Sequence, residues 1–344
     1  MKTKHAAMDL SHLDGKTILI TGGTGSFGKR FTQALLSRTK AKKIIILSRD
    51  EFKQSEMAAA LDDKRVRYFL GDVRDAQRLQ RAFHGVDFVV HAAALKQVPK
   101  LEYDPFEAVQ TNIIGAQNII NAAIDQGVKK VVALSTDKAA NPVNLYGATK
   151  LCAEKLFIAS NSYAGRADTR FSVTRYGNVV GSRGSVVPLY LEKRKTGVLP
   201  LTDARMTRFW ITLDGGVDLV FNALTNMKGG EIFVPKIPSM KMSDLAKAMG
   251  GPGCKIKVIG IRPGEKLHET LLSVEEATHA LDCGGFFVVK PDFPWWSDDN
   301  WTAGTPLPAG FSYASDNNQE WLTEKELHAM VDSFAASEKA PSRA

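Results

Sequence analysis

The sequence predicts an α/β fold, a doubly wound parallel sheet carrying a smaller, interleaved C-terminal region. Three observations lead there. Short apolar runs alternate with helical stretches from residue 13 to residue 180, the beat of a parallel sheet covered on both faces. The first strand-to-helix turn is rich in glycine, as a turn that admits a phosphate must be. Beyond residue 181 the alternation gives way to Gly- and Ser-rich loops and short extended pieces. The expected division is therefore 13–180 for the sheet domain and 181–335 for a second region partly interleaved with it. Residues 1–12 and 338–344 are expected to be disordered, and Met8 stands as an alternative start.

The first strand is Thr17-Ile18-Leu19-Ile20, and Thr21-Gly22-Gly23-Thr24-Gly25-Ser26-Phe27-Gly28 follows it. Gly22, Gly25 and Gly28, three apart, let backbone approach a pyrophosphate and let helix pack on strand; the helix N-terminus offers free N–H groups. The second strand, Lys43 to Leu47, ends in Ser48-Arg49-Asp50-Glu51-Phe52-Lys53. Here a dinucleotide-binding sheet reads the adenosine ribose. Arg49, Lys53 and the Ser48 hydroxyl favour the 2′-phosphate of NADP. Asp50 is the counter-argument for NAD, unless it caps the next helix.

The third strand, Val66 to Leu70, leads to Asp72, which can accept from an adenine amino group, and Val73, which can pack on the ring. Asp75 reads as the cap of the helix Ala76–Phe83. The fourth strand ends at His91, read as a packed polar residue, and the small Ala92, Ala93 and Ala94 leave room for a cofactor. Lys96 follows, either a loop lysine in solvent or one that reaches a substrate phosphate or hydroxyl. Apolar residues at helical spacing predict one long helix over 104–126.

The fifth apolar run, Val131 to Leu134, delivers STDKAANPVNLYGATK, residues 135 to 150. Thr136 precedes an adjacent acid and base, Asp137 and Lys138. Tyr146 and Lys150, four apart on a helix, share one face. A neighbouring ammonium lowers the phenol's pKa below its free value of about 10, so the segment holds a tyrosine base and a second acid–base pair. A strand, Phe171 to Arg175, then ends in Tyr176-Gly177-Asn178-Val179. In the second region Thr202 to Trp210 holds Arg205 and Arg208 among aromatics, and Arg262-Pro263-Gly264-Glu265-Lys266 adds another arginine beside a carboxylate. Arginine grips diphosphates through its planar fork; surface ion pairs are the alternative. The tryptophans of the tail, from Trp295 to Trp321, are expected to pack against the domain or a neighbouring subunit.

Composition narrows the class. With 44% apolar and 24% charged residues the chain is a soluble globular type, and no run approaches the roughly 18 apolar residues of a membrane span. Cys152, Cys254 and Cys283 are scattered, with no CxxC, which argues against a disulfide framework or a zinc site and fits a cytoplasmic location. The formal net charge of +8 is dispersed, without the basic and aromatic runs of a nucleic-acid binder.

TGGTGSFG, the Tyr146/Lys150 pair and RYGNV resemble the extended short-chain dehydrogenase/reductases, whose first domain is of Rossmann type. More narrowly, SRDEFKQ, HAAALKQVP, STDKAANPVNLYGATK, TRFWIT and RPGEKLHE resemble the inverting UDP-N-acetylglucosamine 4,6-dehydratases, from about residue 13 to residue 330. The resemblance implies that Thr24 to Phe27, Ser48, Arg49, Lys53, Asp72, Val73, Ala92, Tyr146 and Lys150 hold NADP. It places Asn178 through Arg183, including Val179, near nicotinamide and sugar. It assigns Lys96, Asn178, Arg183, Val186, Arg205, Met206, Arg262 and Glu265 to the UDP-sugar. It implies Tyr146 as the base at the C4 hydroxyl, Lys138 as the base at C5 and Asp137 as the acid at the C6 hydroxyl. A lysine base must be neutral, so the Lys138 pKa is expected to fall. The resemblance further implies a homo-oligomer, dimer or hexamer, and the first step toward pseudaminic acid in surface and flagellin glycosylation. A nucleotide-sugar 4-epimerase, a dehydratase of another sugar nucleotide and, from a different class, a non-catalytic NADP-binding regulator remain as alternatives.

Overall fold

The computed structural model describes residues 8–180, 186–251, 253–297 and 300–339. Six parallel strands form the first domain: β1 (Thr17–Thr21), β2 (Lys43–Ser48), β3 (Val66–Leu70), β4 (Phe88–His91), β5 (Lys130–Thr136) and β6 (Arg170–Tyr176). They lie in the order β3-β2-β1-β4-β5-β6, with β1 paired in parallel to both β2 and β4. The chain thus reverses its direction of travel at β1, and a crevice opens beyond the carboxyl ends of β1 and β4. β1 is buried along its whole length, as the apolar run Thr17-Ile18-Leu19-Ile20 requires when helices cover both faces.

The second region is interleaved with the first. Its strand Ile232–Pro235 joins β6 in parallel. Phe286–Val289, Ala280–Asp282 and Thr305–Pro306 continue antiparallel to complete a ten-stranded sheet. A separate core gathers Tyr190, Leu199, Trp210, Leu245, Met249 and Leu327. Two apolar cores therefore flank the crevice.

Three expectations change. Leu10 and Leu13 are buried in the main core, and a 3-10 turn spans Ser11–Leu13, so the chain is anchored before residue 13; apolar side chains spaced three apart pin it. At the other end a helix runs Glu324–Lys339, past residue 338; residues 1–7 and 340–344 lie outside the described set. The helix over 104–126 is helical from Pro105 but contains a π-helical turn, Val109–Ile114. Its backbone stays in the right-handed helical region at both ends, and apolar spacing does not register a single wide turn. Of the tail tryptophans, Trp301 packs on its own domain, while Trp295 and Trp321 stay more than a third exposed. Trp301 lies 5.8 Å from Phe233 and donates to Glu231 Oε1 at 2.8 Å.

One buried ion cluster ties the regions together. Arg175, fully buried on β6, donates to both oxygens of Glu154 (3.1 and 2.6 Å), to both oxygens of Glu276 (2.8 and 2.8 Å) and to the Leu271 carbonyl (3.1 Å). Removing the cation would leave two carboxylates facing each other away from water. Arg175→Met is expected to lower unfolding free energy by about 3–5 kcal/mol, measured by urea denaturation; a loss within about 1 kcal/mol would show that the cluster does not hold the regions together.

Candidate active site

The crevice is a cavity of about 960 Å³ that reaches from the β1 turn to the second core. Its floor is backbone. Gly22 has a positive φ of 64°, and a Cβ there would lie 2.9 Å from the Ala92 and Ala93 backbone. A Cβ at Gly28 would run into the Gly23 carbonyl. Both positions therefore exclude a side chain, and α1 (Ser26–Arg38) starts directly above the turn. The Thr21 hydroxyl receives the Ala92 and Ala93 amides at 3.2 Å each and bonds His91 Nδ1 at 2.8 Å. His91 is a packed core residue whose burial pushes its pKa down to about 3.

Thr24, Gly25, Ser26 and Phe27 line this end of the cavity, as do Ala92, Ala93 and Ala94. Ser48, Arg49, Asp50 and Lys53 line its far wall. Asp50 caps the helix Glu51–Ala60, accepting from Lys53 N at 3.0 Å, and its other oxygen pairs with Lys53 Nζ. The Ser48 hydroxyl accepts from Gln54 Nε2 at 3.0 Å. Arg49 faces Asp72 at 3.5 Å, while Asp72 is forked to Arg74 at 3.0 and 2.8 Å. Gly71 and Val73 reach the cavity lining and Asp72 does not. Asp75 caps its helix through Arg78 N.

At the other end β5 delivers the acid–base segment. Thr136 donates to Asp137 Oδ1 at 2.9 Å and accepts from Lys138 N at 3.4 Å. The 3-10 turn Asp137–Ala139 turns the Lys138 side chain back over its neighbour. Asn144 caps the helix Leu145–Ala159 through Gly147 N at 2.8 Å, and donates across the cleft to the Gly264 carbonyl at 2.7 Å. Lys266 donates to the Ala140 carbonyl at 2.6 Å. The RPGEKLHE segment is thereby stitched to the acid–base loop. Asn112, on the π turn, holds both the amide and the carbonyl of Leu95 at 2.9 Å and donates to Thr149 Oγ1 at 3.0 Å. It fixes the loop that carries Lys96 against the Tyr146 helix.

The charges are arranged differently from expectation. Lys138 Nζ lies 3.1 Å from Asp137 Oδ1 and 3.2 Å from Glu269 Oε1, both carboxylates essentially buried. Burial works against the ammonium, but the two carboxylates outweigh it and raise the Lys138 pKa. The expected fall is thus corrected: the free protein holds this lysine charged. Lys150 Nζ donates to the Leu134 carbonyl at 2.7 Å, and burial brings its pKa down to about 8. Burial pushes the Tyr146 phenol up to about 12, Lys138 pulls it down, Asp137 pushes it up and a Thr136 hydrogen bond pulls it down.

The remaining positions sort by the cavity wall. Tyr176, Asn178 and Val179 line it with Tyr146, Lys150 and Lys96, and Val186, Met206, Arg262 and Glu265 line it from the second region. Burial and the Lys138 charge lower the Lys96 pKa. Arg205 points away, its side chain 72% exposed and paired with Asp203 at 2.9 Å; Arg208, three residues on, lines the cavity instead. Arg205 sits in the turn before the strand Thr207–Ile211, where its amide and guanidinium both bond Asp203, whereas Arg208 lies on the strand itself. Arg183 lies outside the described residues. Sequence reasoning assigned no role to Glu269, Asn112 or Asn144; only the last residue of RPGEKLHE hinted at the first. Among the described residues no cluster of His, Cys, Asp and Glu has metal-binding geometry, and no helix is long and apolar enough to cross a membrane.

The polysaccharide biosynthesis protein family model matches residues 18–291. The chain is 54% identical to the inverting UDP-N-acetylglucosamine 4,6-dehydratase of Campylobacter jejuni serotype O:2, over 92% of this chain and 97% of that protein. Among solved structures, Pen from Bacillus thuringiensis superposes with a TM-score of 0.87 at 38% identity, covering 94% of this chain and 99% of that one. DesIV, a dTDP-glucose 4,6-dehydratase from Streptomyces venezuelae with NAD bound, superposes at 0.67 with 26% identity, covering 73% and 86%. The glycine turn, the strand order and these matches together place the chain in the polysaccharide biosynthesis protein family, on the extended short-chain dehydrogenase/reductase fold.

Proposed function

We propose that the protein is an NADP-dependent UDP-N-acetylglucosamine 4,6-dehydratase that inverts C5, a carbon–oxygen lyase. The observation that carries the reading is Lys138, held between the buried carboxylates of Asp137 and Glu269 in the cavity that also holds Tyr146 and the glycine floor. The 54% identity to an inverting dehydratase supports it. A nicotinamide dinucleotide fits the crevice, because the Gly22 and Gly28 positions leave no room for Cβ atoms and α1 presents its N-terminus there. When bound, it takes hydride from C4 of the sugar and returns it to C6.

The chain's own groups then have defined work. Tyr146 accepts the C4 hydroxyl proton as the ketone forms. Lys138, still charged at this stage, is the cation that lowers the phenol's proton affinity. The ketone acidifies the C5 hydrogen. Lys138 must be neutral to take it, and Asp137 must be protonated to release C6 oxygen as water. One proton passing from Lys138 Nζ to Asp137 Oδ1, 3.1 Å away, puts both into the working form without changing the charge of the site. Inversion then requires C5 to regain a proton on the face opposite the one it lost. Arg262, Lys96 and Asn178 face the space left for the UDP-sugar, where bidentate and point-charge contacts suit a diphosphate.

NADP rather than NAD is favoured by Arg49 and Lys53 at the ribose end. A cytoplasmic homo-oligomer, dimer or hexamer, would cover the Tyr103 and Phe106 rings, which stand exposed. The product would be the 4-keto-6-deoxy UDP-sugar on the way to pseudaminic acid.

Turnover of UDP-N-acetylglucosamine in deuterium oxide is expected to give a 4-keto-6-deoxy product with solvent deuterium at C5. A 4-hydroxyl epimer with unlabelled C5 would replace the dehydratase by an epimerase, and no product above a Tyr146→Phe control would leave a binding protein. Lys138→Ala is expected to keep C4 oxidation in a single turnover and to lose water elimination by at least about 100-fold; full dehydration by that variant removes the base assignment. Arg49→Ala is expected to weaken NADP binding by about tenfold, the size of one charge-assisted hydrogen bond, with NAD binding unchanged by calorimetry. Equal losses for both cofactors would refute the 2′-phosphate reading.

A further inference from the structure

We propose that Glu269 is a positioning residue of this site: its carboxylate aims the Lys138 amine into the cavity and, with Asp137, sets how firmly that amine keeps its proton. The inference deepens the dehydratase reading, and its kinetic arm rests on that reading.

Four observations carry it. Glu269 Oε1 stands 3.2 Å from Lys138 Nζ, and Glu269 is only 2% exposed. Its backbone is clamped: its amide donates to Ser315 Oγ at 2.9 Å and its carbonyl accepts from Ser315 N at 2.8 Å. The carboxylate therefore arrives on a fixed segment of the second region, while Lys138 arrives from the carboxyl end of β5. Arg208 Nε lies 3.7 Å from the same Oε1 and spends its other nitrogens on the Thr207, Leu267 and Lys266 carbonyls. Finally, among the described residues Glu269 Oε2 and Asp137 Oδ2 are buried with no hydrogen-bond partner, so each of the two carboxylates meets Lys138 through one oxygen.

The other groups that interact with the amine's charge are Tyr146, Lys96 across the cavity, and Lys266 on the segment of Glu269 itself. Asp137, Glu269, Lys138 and Arg208 sum to zero charge. With Lys96 and Lys266 added the surroundings are cationic, which favours a neutral Lys138. Glu269 is the group from outside the β5 loop that opposes them at contact distance. Losing its charge leaves Lys138 with Asp137 alone, so the amine gives up its proton more readily. Losing its side chain also frees Lys138 to swing, since one carboxylate on an adjacent residue does not fix a four-carbon stem.

The test uses the full chain with 15N-labelled lysine, the Lys138 ammonium signal being assigned with Lys138→Arg. In the wild type Lys138 is expected to stay protonated past the ordinary lysine value of about 10.4. In Glu269→Gln its midpoint is expected to fall by about one pH unit or more. Glu269→Asp keeps the charge but retracts it by one methylene and is expected to give a smaller fall, which suffices should the Gln variant not fold. An unchanged midpoint overturns the proposal, whatever the enzyme does. In steady-state dehydration of UDP-N-acetylglucosamine, the limb on which kcat falls at high pH, as the Lys138–Asp137 pair loses its shared proton, is expected to move to lower pH in Glu269→Gln, with a lower plateau. A uniform loss at every pH would mean a merely structural residue and also overturns it. A fallen midpoint in a protein whose wild type dehydrates no UDP-sugar would sink the dehydratase reading and leave the counter-ion role standing.

Discussion

The structure turns on one half-buried amine held between two buried carboxylates. Taking Lys138, Asp137 and Glu269 out of water costs several kcal/mol per ion before their attraction returns any of it. That cost is met only because the three meet at 3.1 and 3.2 Å and Arg208 neutralises the remaining charge. Such a cluster is a poor source of stability for its own sake. Its value is placement: a cation with one N–H direction left over, facing a cavity that also holds a phenol and a phosphate-sized backbone cradle.

The rest of the chain can be understood as the means of bringing those groups together. The β3-β2-β1-β4-β5-β6 order sets the acid–base loop beside the glycine turn. Interleaving of the second region's strands with β6 brings RPGEKLHE across the crevice, where Asn144 and Lys266 tie it down through backbone carbonyls. Arg175 locks β6 to Glu154 on the tyrosine helix and to Glu276 beyond Glu269. The π turn at Val109–Ile114 presents Asn112 to the Lys96 loop and the tyrosine helix together. A wide helical turn at a site is a common way to re-aim a single side chain.

Much of this was legible in the residues, and the rest was hidden for physical reasons. The parallel sheet showed in apolar runs bounded by glycine, because burial on both faces leaves no polar alternation to confuse the period. Lys138 and Tyr146 showed because they lie in one short segment. Glu269 could not be paired with Lys138 from sequence, since the contact depends on how two regions close. For the same reason the direction of the lysine's proton affinity was misjudged: local sequence shows Asp137, while the second carboxylate comes from far along the chain. Arg205 and Arg208 were indistinguishable by composition and are separated by local structure: Arg205 falls in the turn that binds it to Asp203, Arg208 on the strand that lines the cavity.

The claim is therefore geometric, and a crystal structure with NADP and UDP-N-acetylglucosamine tests it most directly. The account predicts Lys138 Nζ at about 3–3.5 Å from the sugar C5, still bonded to Asp137 and Glu269, with Tyr146 at the C4 oxygen. A Lys138 amine bound to the pyrophosphate or turned to solvent, with another group nearest C5, would contradict it.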